Sequence, residues 1–314
     1  MVVYAGMEEY PQTLMEFEKQ FATEEACRMY LEKMRWPNGF LCPQCGSNRA
    51  WRMSRGLWLC GECRRQTSIT AGTVFEASRL PLKMWFRAMW YITSQKNGAS
   101  AQGVQRVLGF GSYQTAWTWL HKLRRAMVRP GRDRLDGVVE VDESYVGGEK
   151  TGKRGRGATG KALVLLAVQL KDRKIGRIRL AKVVDASGQS LEGALLSMVS
   201  VGSEVRTDGW SGYSGLEGQG YKHCVLRATA MVGEDLLPAC HRVASLLKRW
   251  LLGTHQGAIS HEHLSYYLDE FVFRFNRRTS SSRGKLFYRL VQQAVQVGPT
   301  PYCKLIKPQH IEVG

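Results

Sequence analysis

The chain has 314 residues and carries 45 Lys and Arg against 27 Asp and Glu, a net charge of +18 with a pI near 9.7. With 44% hydrophobic and 23% charged residues, the composition is typical of a globular protein and excludes a disordered or collagen-like chain. No apolar run reaches the roughly 18 residues of a transmembrane helix, and the N-terminus lacks a basic segment followed by an apolar core, so we expect a cytosolic protein. The positive surplus predicts a polyanionic partner, most commonly nucleic acid.

The first 36 residues are mildly acidic and are predicted to contain one helix. Thr23 is followed by Glu24 and Glu25, which is the pattern of a capped helix start. The sequence Trp36-Pro37-Asn38-Gly39 predicts the end of this helix, because proline and glycine interrupt helical hydrogen bonding. We therefore treat residues 1–36 as an N-terminal helical segment.

Two Cys-x-x-Cys pairs, Cys42/Cys45 and Cys60/Cys63, predict a zinc ribbon over residues 37–76. Two residues between the thiols let both reach one ion, and four thiolates complete the tetrahedral shell of Zn²⁺. A redox-active site is the alternative, but two matched pairs in so small a unit favour zinc. Four thiolates leave no open coordination position, so the zinc is predicted to be structural. A glycine directly after one cysteine of each pair suits a tight turn.

Residues 77–129 contain a predicted helix, a glycine turn and a second helix, which is the outline of a helix-turn-helix. Within residues 51–140, 15 Lys and Arg stand against 5 Asp and Glu, a local surplus of +10. This charge favours DNA binding over the alternative, a plain three-helix core with a solvated basic face. The elements are Leu82–Ile92, Ala101–Leu108 capped by Ser100, a turn at Gly109 and Gly111, and Thr115–Met127. The predicted phosphate contacts are Lys122, Arg124, Arg125 and Arg129.

After a linker predicted at Pro130–Arg134, the pattern changes to that of a mixed α/β domain. Apolar and β-branched runs predict three strands, then a helix, then a fourth strand. The strands are Val138–Val146, Lys161–Leu170, Ile175–Val184 and Glu204–Thr207, and the helix is Ser187–Ser200. The segment Gly147–Gly160 is rich in glycine and basic residues and is predicted to form a hairpin tip. The chain from Leu236 onward is predicted to be largely helical.

Two aspartates follow or end predicted strands of this domain. Asp142 lies near the end of the first strand, and Asp208 follows the fourth beside a glycine. Each alone is best explained as the cap of a turn. If the two strands are neighbours, however, their carboxylates can hold two Mg²⁺ ions about 4 Å apart, the arrangement of two-metal phosphoryl transfer. The pair in a basic protein favours the metal interpretation.

A third group is predicted on the helix that begins after Pro238. His241 and Lys248 are seven residues apart and therefore share one helical face. A neutral histidine can ligate a metal ion, and Lys248 with Arg249 can hold a DNA phosphate. Taken alone, His241 would be read as a surface or capping residue.

In combination, these motifs resemble the DDE-type insertion-sequence transposases that carry an N-terminal zinc ribbon and an ISXO-like transposase domain, relatives of the Merlin superfamily. The resemblance covers roughly residues 20–295. The matching segments are the four cysteines of the ribbon, Val141–Gly148, Thr207–Gly209, Leu247–Arg249 with Gly253-Thr254, and His263–Arg278.

The resemblance implies a ribonuclease-H-like mixed-sheet catalytic domain over residues 135–295, followed by a C-terminal tail at 296–314. It also implies that two catalytic Mg²⁺ or Mn²⁺ ions are held by Asp142, Asp208 and His241, with Lys248 as a fourth catalytic residue. Many relatives have Glu or Asn where this chain has His241, and a nitrogen ligand favours Mn²⁺. Glu143 is expected on the opposite face of the strand from Asp142.

By this resemblance the protein is expected to be a cytoplasmic, nucleoid-associated enzyme without a membrane partner. It would bind the terminal inverted repeats of its element, cut there and transfer the strand into target DNA as a homodimer or higher multimer. Lys248, Arg249, Arg277 and Arg278 are further expected DNA contacts. Two alternatives stay open: a metal-dependent nuclease or resolvase without strand transfer, and a non-enzymatic zinc-ribbon DNA-binding regulator derived from a transposase.

Overall fold

A computed structural model describes residues 9–147, 161–172, 174–227, 235–257 and 259–306. The predicted hairpin tip at Gly147–Gly160, apart from Gly147, and the end of the tail at 307–314 lie outside the described residues. The chain forms two compact units. The first runs to Pro130 and takes up Thr279–Ile306 later in the chain, and the second contains Gly131–Arg278.

The helices and strands follow one another in a simple order along the chain. The N-terminal elements are α1 (Leu14–Gln20), α2 (Glu24–Arg35), β1 (Ala50–Arg52), β2 (Trp58–Cys60), β3 (Gln66–Thr67), α3 (Leu82–Ser94), α4 (Ala101–Leu108) and α5 (Tyr113–Ala126). The central elements are β4 (Val138–Val146), β5 (Ala162–Lys171), β6 (Lys174–Val183), α6 (Gly188–Met198), β7 (Glu204–Thr207), β8 (Lys222–Val225), α7 (Pro238–His255) and α8 (Leu264–Phe275). The last are α9 (Arg283–Ala294) and α10 (Tyr302–Leu305).

The first unit combines a small three-stranded antiparallel sheet, β1-β2-β3, with helices around an aromatic core. Local caps begin several helices: the Thr23 hydroxyl accepts the N–H of Ala26 at 3.1 Å, and the Ser112 hydroxyl accepts that of Thr115 at 3.1 Å. Between α4 and α5, Gly109 adopts a φ of 67°, which ends α4 in the left-handed conformation. The predicted helix, glycine turn and helix are therefore present as elements.

Helix α9 completes the core of the first unit although it lies far along the chain. Its Phe287 is fully buried and contacts rings from the N-terminal helices, among them Phe17, Phe86 and Trp90. The predicted domain boundary at residue 295 differs from this division, because the apolar face of α9 is buried among these aromatic side chains and the second unit ends at Arg278.

The second unit is a mixed sheet in the order β6-β5-β4-β7-β8. Strands β6, β5 and β4 pair antiparallel, whereas β4, β7 and β8 run parallel. Successive β5 side chains are buried on alternate faces: Val164 and Leu166 pack with α7 and α8, and Leu163 and Leu165 pack with α6. The five elements predicted for this domain are present, and β8 is an additional strand.

The outer strand β6 is closed by the end of helix α8. The Asn276 carboxamide accepts the N–H of Ile178 at 2.7 Å and donates to its carbonyl at 3.1 Å, as a neighbouring strand would. The Arg278 guanidinium donates to the carbonyls of Ile175 and Gly176. Such contacts occupy backbone groups that an edge strand otherwise exposes. Within the described ranges, no helix combines the length and apolar character that a bilayer crossing requires.

Two glycines provide opposite tests of the packing. A Cβ at Gly284 in α9 would overlap the Pro11 carbonyl, whereas a Cβ at Gly253 in α7 meets nothing within 4 Å. We expect Gly284→Ala to lower the free energy of unfolding by about 1–3 kcal/mol through overpacking. Gly253→Ala should raise it by up to about 1 kcal/mol through helix propensity. Urea unfolding of both variants checks this, and a neutral Gly284→Ala would contradict the packing of α9.

Candidate functional site

The four cysteines of the two predicted pairs form one cluster. Their sulfur atoms all lie within 4.8 Å of one another, with Cys42 Sγ 3.6 Å from Cys63 Sγ and Cys45 Sγ 3.6 Å from Cys60 Sγ. A tetrahedral zinc ion with Zn–S bonds of about 2.3 Å requires sulfur atoms roughly 3.8 Å apart. The residues present therefore fit a Zn(Cys)₄ site. Backbone N–H donors, that of Cys45 first, lower the pKa of Cys42 to about 6, which favours the thiolate.

The two turns of the ribbon are alike in backbone but differ in sequence. Gly46 has a φ of 72° and donates its N–H to the Cys42 carbonyl at 2.9 Å. The matching position of the second turn is Arg64, which has a φ of 58° and donates to the Cys60 carbonyl at 3.2 Å. Gly61 has a different role, because it permits the close approach of the Arg49 backbone: a Cβ added at Gly61 would lie 3.1 Å from the Arg49 carbonyl oxygen. A non-glycine residue thus adopts the strained conformation.

Asp142, in the middle of β4, and Asp208, directly after β7, are brought side by side. Strands β4 and β7 pair in parallel with Glu140 opposite Arg206, so two residues further along Asp142 lies beside Asp208. The side chain of Asp142 is 17% exposed. Because Asp142 and Glu140 are two residues apart on β4, they share the face that carries α7.

Glu143 occupies the opposite face of β4, as the alternation of a strand predicts. Its carboxylate accepts the hydroxyl hydrogen of Tyr213 at 2.7 Å, and Tyr213 is fully buried among the residues that pack with α6. This contact holds Glu143 away from the α7 side of the sheet.

His241 lies in the first turn of α7 and faces Asp142. Its Nε2 is 3.4 Å from the Asp142 Oδ2, and its Nδ1 is 2.6 Å from the Asp235 Oδ1. An imidazole that donates one ring N–H to a carboxylate presents the other nitrogen in a fixed orientation, which is a recurring arrangement for metal-ligating histidines. Asp142, Asp208 and His241 therefore form a set of oxygen and nitrogen donors suited to Mg²⁺ or Mn²⁺.

The electrostatics of this set are unfavourable without a cation. Burial, together with the neighbouring carboxylate of Glu143, raises the pKa of Asp142 from 3.8 to about 6; Asp208 adds to this effect and His241 opposes it. Among the described residues, only the ribbon cysteines form a group of three or more metal ligands with all ligand atoms within 4.8 Å. The Asp142, Asp208 and His241 donors are thus more widely spaced than a single compact site.

The predicted DNA contacts fall into three groups by exposure. Lys248, Arg249 and Arg129 are exposed, and Lys122, Arg125 and Arg277 are half-buried. Arg124 is 1% exposed, which corrects its prediction as a phosphate contact, because its side chain points into the core of the first unit. Arg278 is exposed, but its guanidinium already donates to backbone carbonyls of β6 and α8.

Two residues near the aspartates were not predicted from the sequence. Asp235 directly follows Glu234 and lies six positions before His241, and only its 2.6 Å contact with the His241 ring singles it out. Glu140 accepts the N–H groups of Ala239 and Cys240 at 2.9 and 3.1 Å. The one signal in the sequence is its spacing of two residues from Asp142, which places both on one face of a strand.

Comparison with known proteins finds the same order of parts along the chain, a zinc ribbon followed by a transposase domain. Residues 22–66 match a family model described as a transposase zinc-ribbon domain, and residues 134–276 match one described as an ISXO2-like transposase domain. A protein of Halobacterium salinarum described as an uncharacterized protein in transposable element ISH50 is 29% identical over 281 residues. That alignment covers 82% of this chain and 92% of the relative.

The cysteine ribbon and the mixed α/β domain behind it thus correspond to the two parts of a zinc-ribbon transposase. More narrowly, the α/β domain resembles the ISXO2-like transposase domain, and the chain is similar to a protein of the transposable element ISH50. The resemblance drawn from its motifs is confirmed.

Arg64 and Gly46 allow a test of the ribbon geometry. Arg64→Gly should raise the stability of the zinc-loaded ribbon by about 1 kcal/mol, because glycine adopts a positive φ without steric cost. Gly46→Ala should lower it by a similar amount or more. The measurement is the urea midpoint of zinc release to a chromogenic chelator. Equal effects of both substitutions would contradict the left-handed turn at Arg64.

The raised pKa of Asp142 predicts a pH dependence of stability without added divalent metal. The Asp142 carboxyl binds its proton more tightly in the folded state than in the unfolded state. Protonation of Asp142 therefore stabilises the folded state, and this stabilisation is lost as pH rises from about 4 through about 6. The loss is at most about 3 kcal/mol. Asp142→Asn removes it, so the variant should exceed wild type in unfolding free energy at pH 8 and match it near pH 4. Parallel urea-unfolding curves across this range would contradict the buried carboxylate.

Proposed function

We propose that this protein is a DNA transposase that binds the terminal inverted repeats of its element and performs metal-dependent cleavage and strand transfer. The observation that carries the proposal is the proximity of three residues: Asp142 on β4, Asp208 directly after β7, and His241 on α7. The shift in the pKa of Asp142 includes effects of both Asp208 and His241, which agrees with their proximity. Similarity to the transposase class supplies the reaction that such a donor set suits.

The sheet supports a ribonuclease-H-like fold for the catalytic unit. Its order places the antiparallel strands β6 and β5 on one side of β4, and β7 and β8, which run parallel to β4, on the other side. This middle strand is the one that carries Asp142. Helices cover both faces, and Asp142 faces the first turn of α7 beside the end of β7.

In the proposed mechanism Asp142 and Asp208 would hold two divalent ions, and His241, whose ring is oriented by Asp235, would add a nitrogen ligand. When bound, the ions supply Lewis acidity to the phosphodiester and lower the pKa of the attacking hydroxyl. Lys248 and Arg249, exposed on α7, hold the phosphate in line for displacement. Water attacks phosphorus and the P–O3′ bond breaks, which releases a 3′-hydroxyl. That hydroxyl then attacks a phosphodiester of target DNA and expels its 3′-oxygen.

DNA recognition is proposed for the first unit. The ribbon and the α4–turn–α5 element would bind the inverted repeats, with Lys122, Arg125 and Arg129 contacting phosphates. Arg277 would add backbone contacts in the second unit. Pairing of two element ends requires at least a dimer on DNA, which we propose as the working assembly.

Asp208→Ala should abolish cutting at the element ends while leaving DNA binding intact. The substrate is labelled DNA that carries the inverted repeats flanking the gene, with Mg²⁺ or Mn²⁺ present. Removal of one ligand of a two-metal site is expected to lower the rate by about 10³-fold or more. The matched control is Asp172→Asn, an exposed aspartate in the β5–β6 turn at the far end of the strands from Asp142. This variant should cut as wild type does.

The products of the same assay separate the alternatives. Joined DNA products that form with the wild-type protein and are absent with Asp208→Ala support the transposase. Cutting without joining favours a nuclease or resolvase, and tight binding without cutting in either metal favours a DNA-binding regulator.

A further inference from the structure

We infer that Glu140 is a positioning residue for the metal-dependent reaction, because its carboxylate fixes the start of α7 and thereby holds His241 against Asp142. The inference rests on the proposed function. It assigns a role to a buried acidic residue that the ligand set itself does not use.

Helix α7 begins without a cap of its own. Its N-cap residue is Leu237, which has no side-chain acceptor, and its first turn contains no acidic residue. Pro238 at the first position has no N–H, so Ala239 and Cys240 carry the first backbone N–H groups of the helix. Both donate to one oxygen of Glu140, at 2.9 and 3.1 Å. The cap therefore comes from strand β4, about 100 positions earlier in the chain.

The burial of Glu140 is costly and requires compensation. Glu140 is 5% exposed, and a buried carboxylate without partners is strongly unfavourable. Here the positive end of α7 faces it, and Arg206 lies opposite it in the β4–β7 ladder. A valine at this position would suit a buried strand without these arrangements. The contact with α7 is the feature that a carboxylate provides and a valine does not.

The position of this cap links two of the proposed ligands. On β4, Glu140 and Asp142 are two residues apart on one face. On α7, the two N–H donors immediately precede His241. The strand that supplies one ligand thus holds the backbone that supplies another, and the 3.4 Å between Asp142 Oδ2 and His241 Nε2 depends on both hydrogen bonds. Misplacement of a reacting group by about 1 Å costs on the order of 100-fold in rate.

The test compares Glu140→Ala and Glu140→Gln with Ser187→Ala in the full-length protein. Gln retains a carbonyl oxygen that accepts both N–H groups, whereas Ala does not. Ser187 caps α6 in the same unit by accepting the N–H of Ser190, so its loss removes a helix cap away from the proposed ligands. The Ser187→Ala variant therefore controls for a general loss of stability.

Glu140→Ala should weaken Mn²⁺ binding, measured without DNA by the electron paramagnetic resonance of free Mn²⁺, by about 10- to 100-fold. Its cleavage rate should fall at least as far, with unchanged affinity for the inverted repeats and faster amide exchange at Ala239 and Cys240. Glu140→Gln should recover most of the Mn²⁺ affinity and rate. Ser187→Ala should lower the melting temperature without changing either quantity.

The outcomes distinguish this inference from the proposed function. If the wild-type protein binds Mn²⁺ and cuts DNA, and Glu140→Ala does both equally well, the inference about Glu140 is overturned but the proposed function is not. The inference is also overturned if Ser187→Ala, at the same melting temperature as Glu140→Ala, loses as much Mn²⁺ affinity and cleavage rate, because the role of Glu140 is then only structural. Wild type that neither binds Mn²⁺ nor cuts overturns both proposals, and unchanged amide exchange in Glu140→Ala excludes the cap itself.

Discussion

The parallel pairing of β4 with β7 is the constraint on which the second unit depends. It places Asp142 beside Asp208, and two carboxylates on neighbouring strands repel each other. The surrounding structure increases this cost, since burial raises the pKa of Asp142 to about 6. Glu143 adds to the cost although Tyr213 holds it on the other face, and the opposing contribution comes from His241, which α7 brings to the same point. Under the proposed function, each cation bound between these carboxylates would relieve the repulsion.

Much of the fold is predictable from the sequence because its signals are local. The strand β5 is a continuous apolar run with both faces buried, and Pro130 and Gly131 mark the change from one unit to the next. Strand β8 is not predictable in this way, since Lys222–Val225 is short and polar and becomes a strand only by pairing with β7. The placement of α9 depends on distant aromatic partners, so its helical pattern carries no information about which unit it joins.

The candidate site likewise contains residues that local sequence patterns predict and residues that only the fold brings together. Spacing alone predicts the cysteine cluster, which the structure brings together. Strand ends and helical periodicity point to Asp142, Asp208 and His241. Burial of Arg124 is invisible in a run of basic residues, because its neighbour Arg125 has the same chemistry and a different direction on the helix. The contacts of Glu140 join positions about 100 residues apart, which only the three-dimensional fold brings together.

The closure of β6 by the end of α8 has a consequence for how copies of this protein meet. An open strand edge is a template on which another chain can add its own strand and extend the sheet without limit. At Ile178 both backbone groups are already paired with the Asn276 carboxamide, and Arg278 covers the carbonyls just before it. Growth of the sheet in that direction would first have to detach the end of α8. Extension of the sheet at Ile178 is therefore coupled to detachment of α8, and the folded protein does not offer this part of β6 as a template.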